Sequence, residues 1–82
     1  MKRTLGEILL PKEDLRLRYR ILGDGKQGYG LEVTLTQNGK KIVERCGRLT
    51  GSLTEIRRFG RAAAAGTVLP GFLKELAEEW EF

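Results

Sequence analysis

Three arginines, Arg16, Arg18 and Arg20, occupy alternate positions in the segment LRLRYRIL. Their alternation with apolar residues is typical of a half-buried β-strand, so the arginines should leave one face of a sheet while the apolar side chains enter the core. Guanidinium groups bind carboxylates and phosphates through charge-assisted hydrogen bonds. The spacing therefore predicts an anion-binding sheet face. The alternative is an ordinary solvated face whose charges are partly paired with acids.

Further cations are predicted to lie near these arginines or in a second group. A two-residue Asn38-Gly39 turn would place Lys41 and Arg45 on the same sheet face, where Glu32 opposes them. A second basic group is predicted on the outer side of a helix. The candidate binding residues are Arg16, Arg18, Arg20, Lys41, Arg45, Arg57, Arg58 and Arg61.

Catalytic and metal chemistry find little support in the residue types. The chain has no histidine, which excludes the commonest general base and the commonest metal ligand. Cys46 is the only cysteine, and its inward register favours a buried, inert thiol over a nucleophile. Glu75, Glu78 and Glu79 share a helix face that is typical of a solvated or salt-bridged surface. We expect no catalytic residue, no metal and no cofactor, and we therefore expect that the protein is not an enzyme.

The elements that position these residues begin with three predicted strands, at 15–22, at 29–37 and from 40 to about 47. Each alternates apolar and polar residues, and the tight turn joins the last two. Glu44 breaks the alternation because it opposes Val33, which marks either the margin of the core or a bulge. The pattern predicts a three-stranded antiparallel meander.

Two helices should follow the strands. Ser52 and Glu55 form a capping box, which predicts a helix over 53–66 whose Gly60 makes a close contact on the buried side. A second helix should open at Pro70. Its predicted core stripe consists of Phe72, Leu73, Leu76, Ala77 and Trp80. The sequence therefore predicts an α+β fold with two C-terminal helices packed on one face of the sheet.

Length and charge set the remaining limits. Eighty-two residues predict one small domain, with 1–14 as a loosely ordered N-terminal arm. Fifteen Lys and Arg against eleven Asp and Glu give a net charge of +4, which favours anionic partners. A lone cysteine fits a reducing compartment, and the short apolar run around Glu7 predicts neither a signal peptide nor a membrane span. We expect a cytoplasmic protein.

The segments YGLEV and GTVLPGFLKELAEEW resemble a family of small uncharacterised Firmicutes proteins, catalogued as a domain of unknown function. Members tend to carry a Tyr-Gly strand opening and, near the C-terminus, a Thr-Val-x-Pro-x-His-Leu helix start. This chain has Phe72 at the histidine position. The residues that match are Tyr29, Gly30, Thr67, Val68, Pro70 and Leu73. The resemblance spans most of 15–82, implies a Firmicutes or mobile-element source, and brings no established activity.

These observations favour a small non-catalytic binding protein whose arginine-bearing sheet face engages an acidic protein surface. The alternative is a nucleic-acid or nucleoprotein binder, such as a phage or mobile-element regulator or an inhibitor of a nucleic-acid-targeting complex. Tyr19 and Tyr29 are predicted to point into the core, and base stacking needs an outward aromatic side chain. We expect a monomer, or a dimer formed through the helices.

Overall fold

The computed structural model describes residues 3–10, 14–24 and 26–82. Four strands are followed by two helices: β1 (Arg3–Leu10), β2 (Leu15–Asp24), β3 (Gly28–Gln37), β4 (Lys40–Thr50), α1 (Leu53–Ala65) and α2 (Leu73–Glu79). The strands form one antiparallel sheet in the order β1-β2-β3-β4. The α+β fold with two C-terminal helices on one face is confirmed, and the predicted three strands are corrected to four.

The additional strand, β1, lies in the segment that the sequence assigns to an N-terminal arm. Its register against β2 shifts between Thr4 and Gly6, so Leu5 is the extra residue of a β-bulge. Both Leu5 and Ile8 pack against the core although they are three residues apart. The bulge therefore removes the strict alternation by which a strand is recognised in sequence.

The hairpin between β3 and β4 is confirmed, with its predicted register. Asn38 and Gly39 have φ angles of 51° and 78°, as both turn positions of a type I′ hairpin require. Further along, β4 bulges, because Leu31 faces Cys46 while the register next resumes at Thr50. A Cβ atom at Gly30 would meet the Cys46 carbonyl oxygen and lie 2.7 Å from the Gly47 Cα atom. Position 30, which lies against this bulge, can therefore be occupied only by glycine.

Helix α1 begins and ends as the sequence predicts. The Ser52 Oγ atom accepts a hydrogen bond of 3.2 Å from the Glu55 N–H, and the Gly66 N–H donates to the Ala62 carbonyl at 3.0 Å. Gly60 is buried, and a Cβ atom there would collide with the Leu5 side chain. The predicted close contact at Gly60 is thus confirmed, and its partner comes from β1.

Helix α2 begins at Leu73 instead of Pro70, and residues 70–72 form a turn. Phe72, predicted on the core stripe, is 58% exposed. The reason is Glu44, whose Oε1 atom accepts hydrogen bonds from the Gly71 N–H at 2.9 Å and the Leu73 N–H at 2.8 Å. Glu44 is partly buried and in regular register with Val33, so it lies at a margin of the core and not at a bulge, and it supplies a cap from β4 to the start of α2.

The core lies between the sheet and the two helices. Its buried members come from β2, β3, α1 and α2: Leu17, Tyr19, Ile21, Leu31, Val33, Ile56, Phe59, Ala63 and Leu73. Tyr19 donates a hydrogen bond of 3.0 Å to the Val68 carbonyl, and burial raises the pKa of this tyrosine. Trp80 packs edge-on against Phe59, with ring centroids 5.4 Å apart. Within the described ranges, neither helix is long and apolar enough to span a membrane.

Candidate functional site

Among the described residues, α1 and α2 both pack on one face of the sheet, and no other element covers the second face. Three rows of paired residues cross this face from β2 through β3 to β4. The rows are Arg16, Thr36 and Lys41; then Arg18, Thr34 and Val43; then Arg20, Glu32 and Arg45. We call these nine residues the arginine face. Together they line a shallow groove of about 290 Å³.

Glu32 organises one end of the arginine face. It is only 3% exposed and lies in register between Arg20 and Arg45. The Arg45 Nε atom donates to a Glu32 carboxylate oxygen at 2.5 Å. A buried carboxylate is costly unless cations and hydrogen bonds compensate it. The row of two cations around Glu32 is therefore structural as well as available for binding.

Glu7 of β1 pairs with the other end of the arginine face. Its Oε1 atom is 2.9 Å from the Arg16 Nε atom, and its Oε2 atom is 3.4 Å from the Arg18 Nη2 atom. All three side chains are partly exposed, so each pair contributes at most about 1 kcal/mol to stability. Sequence reasoning missed Glu7 because it did not predict β1; the short apolar run around Glu7 was the available signal.

The groove contains an excess of hydrogen-bond donors. Its nine residues comprise five cations and a single carboxylate, that of Glu32. The Nε atoms of Arg18 and Arg20 are buried and have no hydrogen-bond partner within the described part of the chain. These two buried atoms are closed to a ligand in the groove, but the charged ends of arginine and lysine side chains donate charge-assisted hydrogen bonds to carboxylate and phosphate oxygens. The geometry can therefore hold carboxylates or phosphates.

The structure divides the eight candidate binding residues between two sides of the molecule. Arg16, Arg18, Arg20, Lys41 and Arg45 converge on the groove. The helical group is exposed on the side of α1 away from the sheet, and consists of Arg57, Arg58 and Arg61. Within it, Arg58 donates to Glu55 at 3.1 Å. No single flat surface can contact both groups.

Cys46 and the acidic end of α2 lie away from the arginine face. Burial, with the nearby Glu44 carboxylate, raises the pKa of the Cys46 thiol, which disfavours the reactive thiolate. Glu75, Glu78 and Glu79 are exposed and make no ion pair with any described residue. Among the residues that the structure describes, no three His, Cys, Asp or Glu side chains group in a way that could hold a metal ion.

Comparison with known proteins finds no matching family model, no similar curated protein and no similar solved structure. The resemblance to the Firmicutes family of unknown function stays a prediction.

Proposed function

We propose that this chain is a non-catalytic binding protein whose arginine face engages an acidic protein surface. One observation supports the proposal above the others. Within the described part of the chain the helices leave one sheet face uncovered, and across three strands this face presents five cations around one buried carboxylate. Positive patches of this kind attract and orient partners of complementary charge.

The arrangement suits a protein partner better than a nucleic acid. None of the nine described residues that line the groove is aromatic, so bases would find no stacking platform among them. Glu32 in the groove and Glu7 beside it would repel a continuous row of phosphates. An acidic protein surface offers separated carboxylates, which can lie over the cations and avoid the two glutamates.

A nucleic-acid or nucleoprotein binder is the second candidate. The observation that favours it is the exposed basic group on α1, which gives the molecule cations on two opposite sides. A regulator from a phage or mobile element, or an inhibitor of a nucleic-acid-targeting complex, could contact protein with one side and phosphates with the other.

A pair of charge-matched variants tests the proposal. Arg16→Gln with Lys41→Gln removes two cations at the end of the groove away from Glu32, and so leaves the row around the buried carboxylate intact. Arg57→Gln with Arg61→Gln removes the same charge from the opposite side of the molecule. Both variants should keep the thermal stability of the parent, because all four side chains are exposed.

The measurement is capture of partners from a bacterial lysate, with and without nuclease, followed by titration of each purified partner. We expect the Arg16/Lys41 variant to bind at least about tenfold more weakly and the Arg57/Arg61 variant to bind as the parent does. Equal weakening of both variants would contradict the proposal. Capture that disappears with nuclease would favour the second candidate.

A further inference from the structure

The outer edge of β4 is open. In the described part of the sheet, β4 is the last strand and pairs only with β3. Alternate residues of an edge strand direct their N–H and C=O groups away from the neighbouring strand, and another chain can pair with them. The regular part of β4, before its bulge, runs from Lys40 to Cys46. It is long enough for a short added strand.

The charge on this edge excludes some partners and favours others. β4 carries four exposed cations: Lys40, Lys41, Arg45 and Arg48. Its single carboxylate, Glu44, is already bound to the amides at the start of α2. A second copy of β4 would place cations opposite or diagonal to cations, which opposes self-pairing. A strand rich in Asp or Glu would be attracted instead.

The two sides of β4 offer different surroundings to such a strand. On one side, Lys41 and Arg45 belong to the arginine face. On the other, Ile42 is exposed, and a second groove of about 400 Å³ lies beside α2 at the Cys46 end of the regular strand. This groove is lined by the apolar or small residues Cys46, Gly47, Leu49 and Ala77 and by the charged residues Arg45, Lys74 and Glu78. Side chains of an added strand point alternately to these two sides. Acidic residues would therefore meet cations, and apolar residues would meet Ile42 and, at one end of the strand, the groove beside α2.

We propose that the partner contributes an extended acidic segment that pairs with the outer edge of β4 as a fifth strand. Its acidic side chains lie on the arginine face, and its alternate apolar side chains lie on the helix side of the sheet, over Ile42 and the near end of the groove beside α2. This inference rests on the proposed function and specifies the form of the partner. Main-chain hydrogen bonds supply affinity in this mode of recognition, while the alternating side chains supply specificity.

The experiment uses a capped synthetic peptide of alternating Glu and Val, roughly eight residues long, which spans the regular part of β4 when extended. Two further peptides carry N-methyl groups on either all the Glu or all the Val residues. Both keep the side chains and charge of the parent peptide. In a paired strand only one alternate set of N–H groups faces β4, so one methylated peptide should lose binding at least about tenfold while the other retains it.

Hydrogen exchange of the full chain locates the contact. We expect the peptide to slow exchange of β4 amides between Lys41 and Arg45 and to leave the amides of β1 unchanged. Lys41→Gln should lower the affinity for the peptide, and Arg61→Gln on the opposite side of the molecule should leave it unchanged.

The outcomes separate this inference from the proposed function. Equal binding of the two methylated peptides, failure of the parent peptide to bind, or binding without protection of β4 would each overturn strand addition. None of these results bears on whether a captured acidic protein depends on Arg16 and Lys41, which is the test of the proposed function.

Discussion

At the scale of single residues, Glu44 links two elements that are far apart in the chain. Its carboxylate bridges from β4 to the amides of Gly71 and Leu73, where α2 has no side-chain cap of its own. A cap of this kind is visible in sequence only when donor and acceptor lie within one helical turn. The contact across the fold explains why the start of α2 was predicted three residues too early.

Replacement of Glu44 tests the strength of this cap. Glu44→Ala should lower the free energy of unfolding by about 1–2 kcal/mol, because two amide donors lose their acceptor. Glu44→Gln retains a carbonyl oxygen and should lose less than about 1 kcal/mol. Urea denaturation of both variants measures the difference. Equal losses would show that charge, and not the acceptor geometry, fixes α2.

Tyr19 gives a prediction about alkaline pH. Burial raises its pKa in the folded state, and its hydroxyl donates to the Val68 carbonyl. The neutral phenol therefore stabilises the fold fully below the unfolded pKa of about 10, and this contribution decreases as pH rises through the folded pKa. At about pH 8 the free energy of unfolding of the parent should be about 1 kcal/mol higher than that of Tyr19→Phe, and at about pH 11 the difference should be smaller. Urea denaturation of both proteins at the two pH values measures this difference in unfolding free energy. A difference that does not change with pH would contradict a buried phenol.

At the scale of elements, sequence signals within a few residues of each other predict some secondary-structure elements correctly and fail for others. The turn at Asn38-Gly39 and the cap at Ser52 lie within four residues of their partners, and both were predicted correctly. The hairpin register in turn placed Lys41 and Arg45 with the arginines of β2. β1 was missed because the bulge at Leu5 breaks its alternation, and Glu7 was missed with it. Which side chains of a strand are buried depends on tertiary contacts with distant residues, and these contacts cannot be read from a short segment of sequence.

The contact between β1 and α1 can be tested at Gly60. Gly60→Ala would gain about 1 kcal/mol of helix propensity but would force its methyl group into Leu5. Overpacking of this kind costs about 1–3 kcal/mol, so we expect a net loss of about 1 kcal/mol. In a Leu5→Ala background the same change should become neutral or stabilising. A double-mutant cycle by denaturation measures the coupling; independent effects would show that β1 does not pack against Gly60.

At the scale of the whole molecule, charge is distributed unevenly. Cations line the open sheet face and the outer side of α1, while the carboxylates of 75–81 lie at the other end of the chain and form no ion pair with the described residues. The predicted three-stranded meander would place the arginine-bearing strand 15–22 at an edge of the sheet. β2 is instead an inner strand, so repulsion between copies would act at β4.

The modest charge excess predicts weak, salt-sensitive binding to random nucleic acid. At most about five phosphates could contact the cations of the groove, which gives a slope of log K against log salt no steeper than about −4.5 for duplex DNA. We expect affinities weaker than about 1 μM at physiological salt. Fluorescence titration over a range of salt concentrations measures both quantities. Tight binding that resists salt and selects a sequence would favour the nucleic-acid candidate.

The order of the sheet follows the order of the chain, and this has a consequence for the route of folding. Each strand pairs with its immediate neighbour in sequence, so the sheet can assemble by successive hairpin closures with little loop entropy to overcome. The contacts of α2 with β4 join more distant segments and should form after the transition state. Gly39→Ala strains a turn residue whose φ is 78° and should mainly slow refolding, whereas Leu73→Ala should mainly accelerate unfolding. Stopped-flow chevrons of the two variants distinguish this order from one in which the helices dock first.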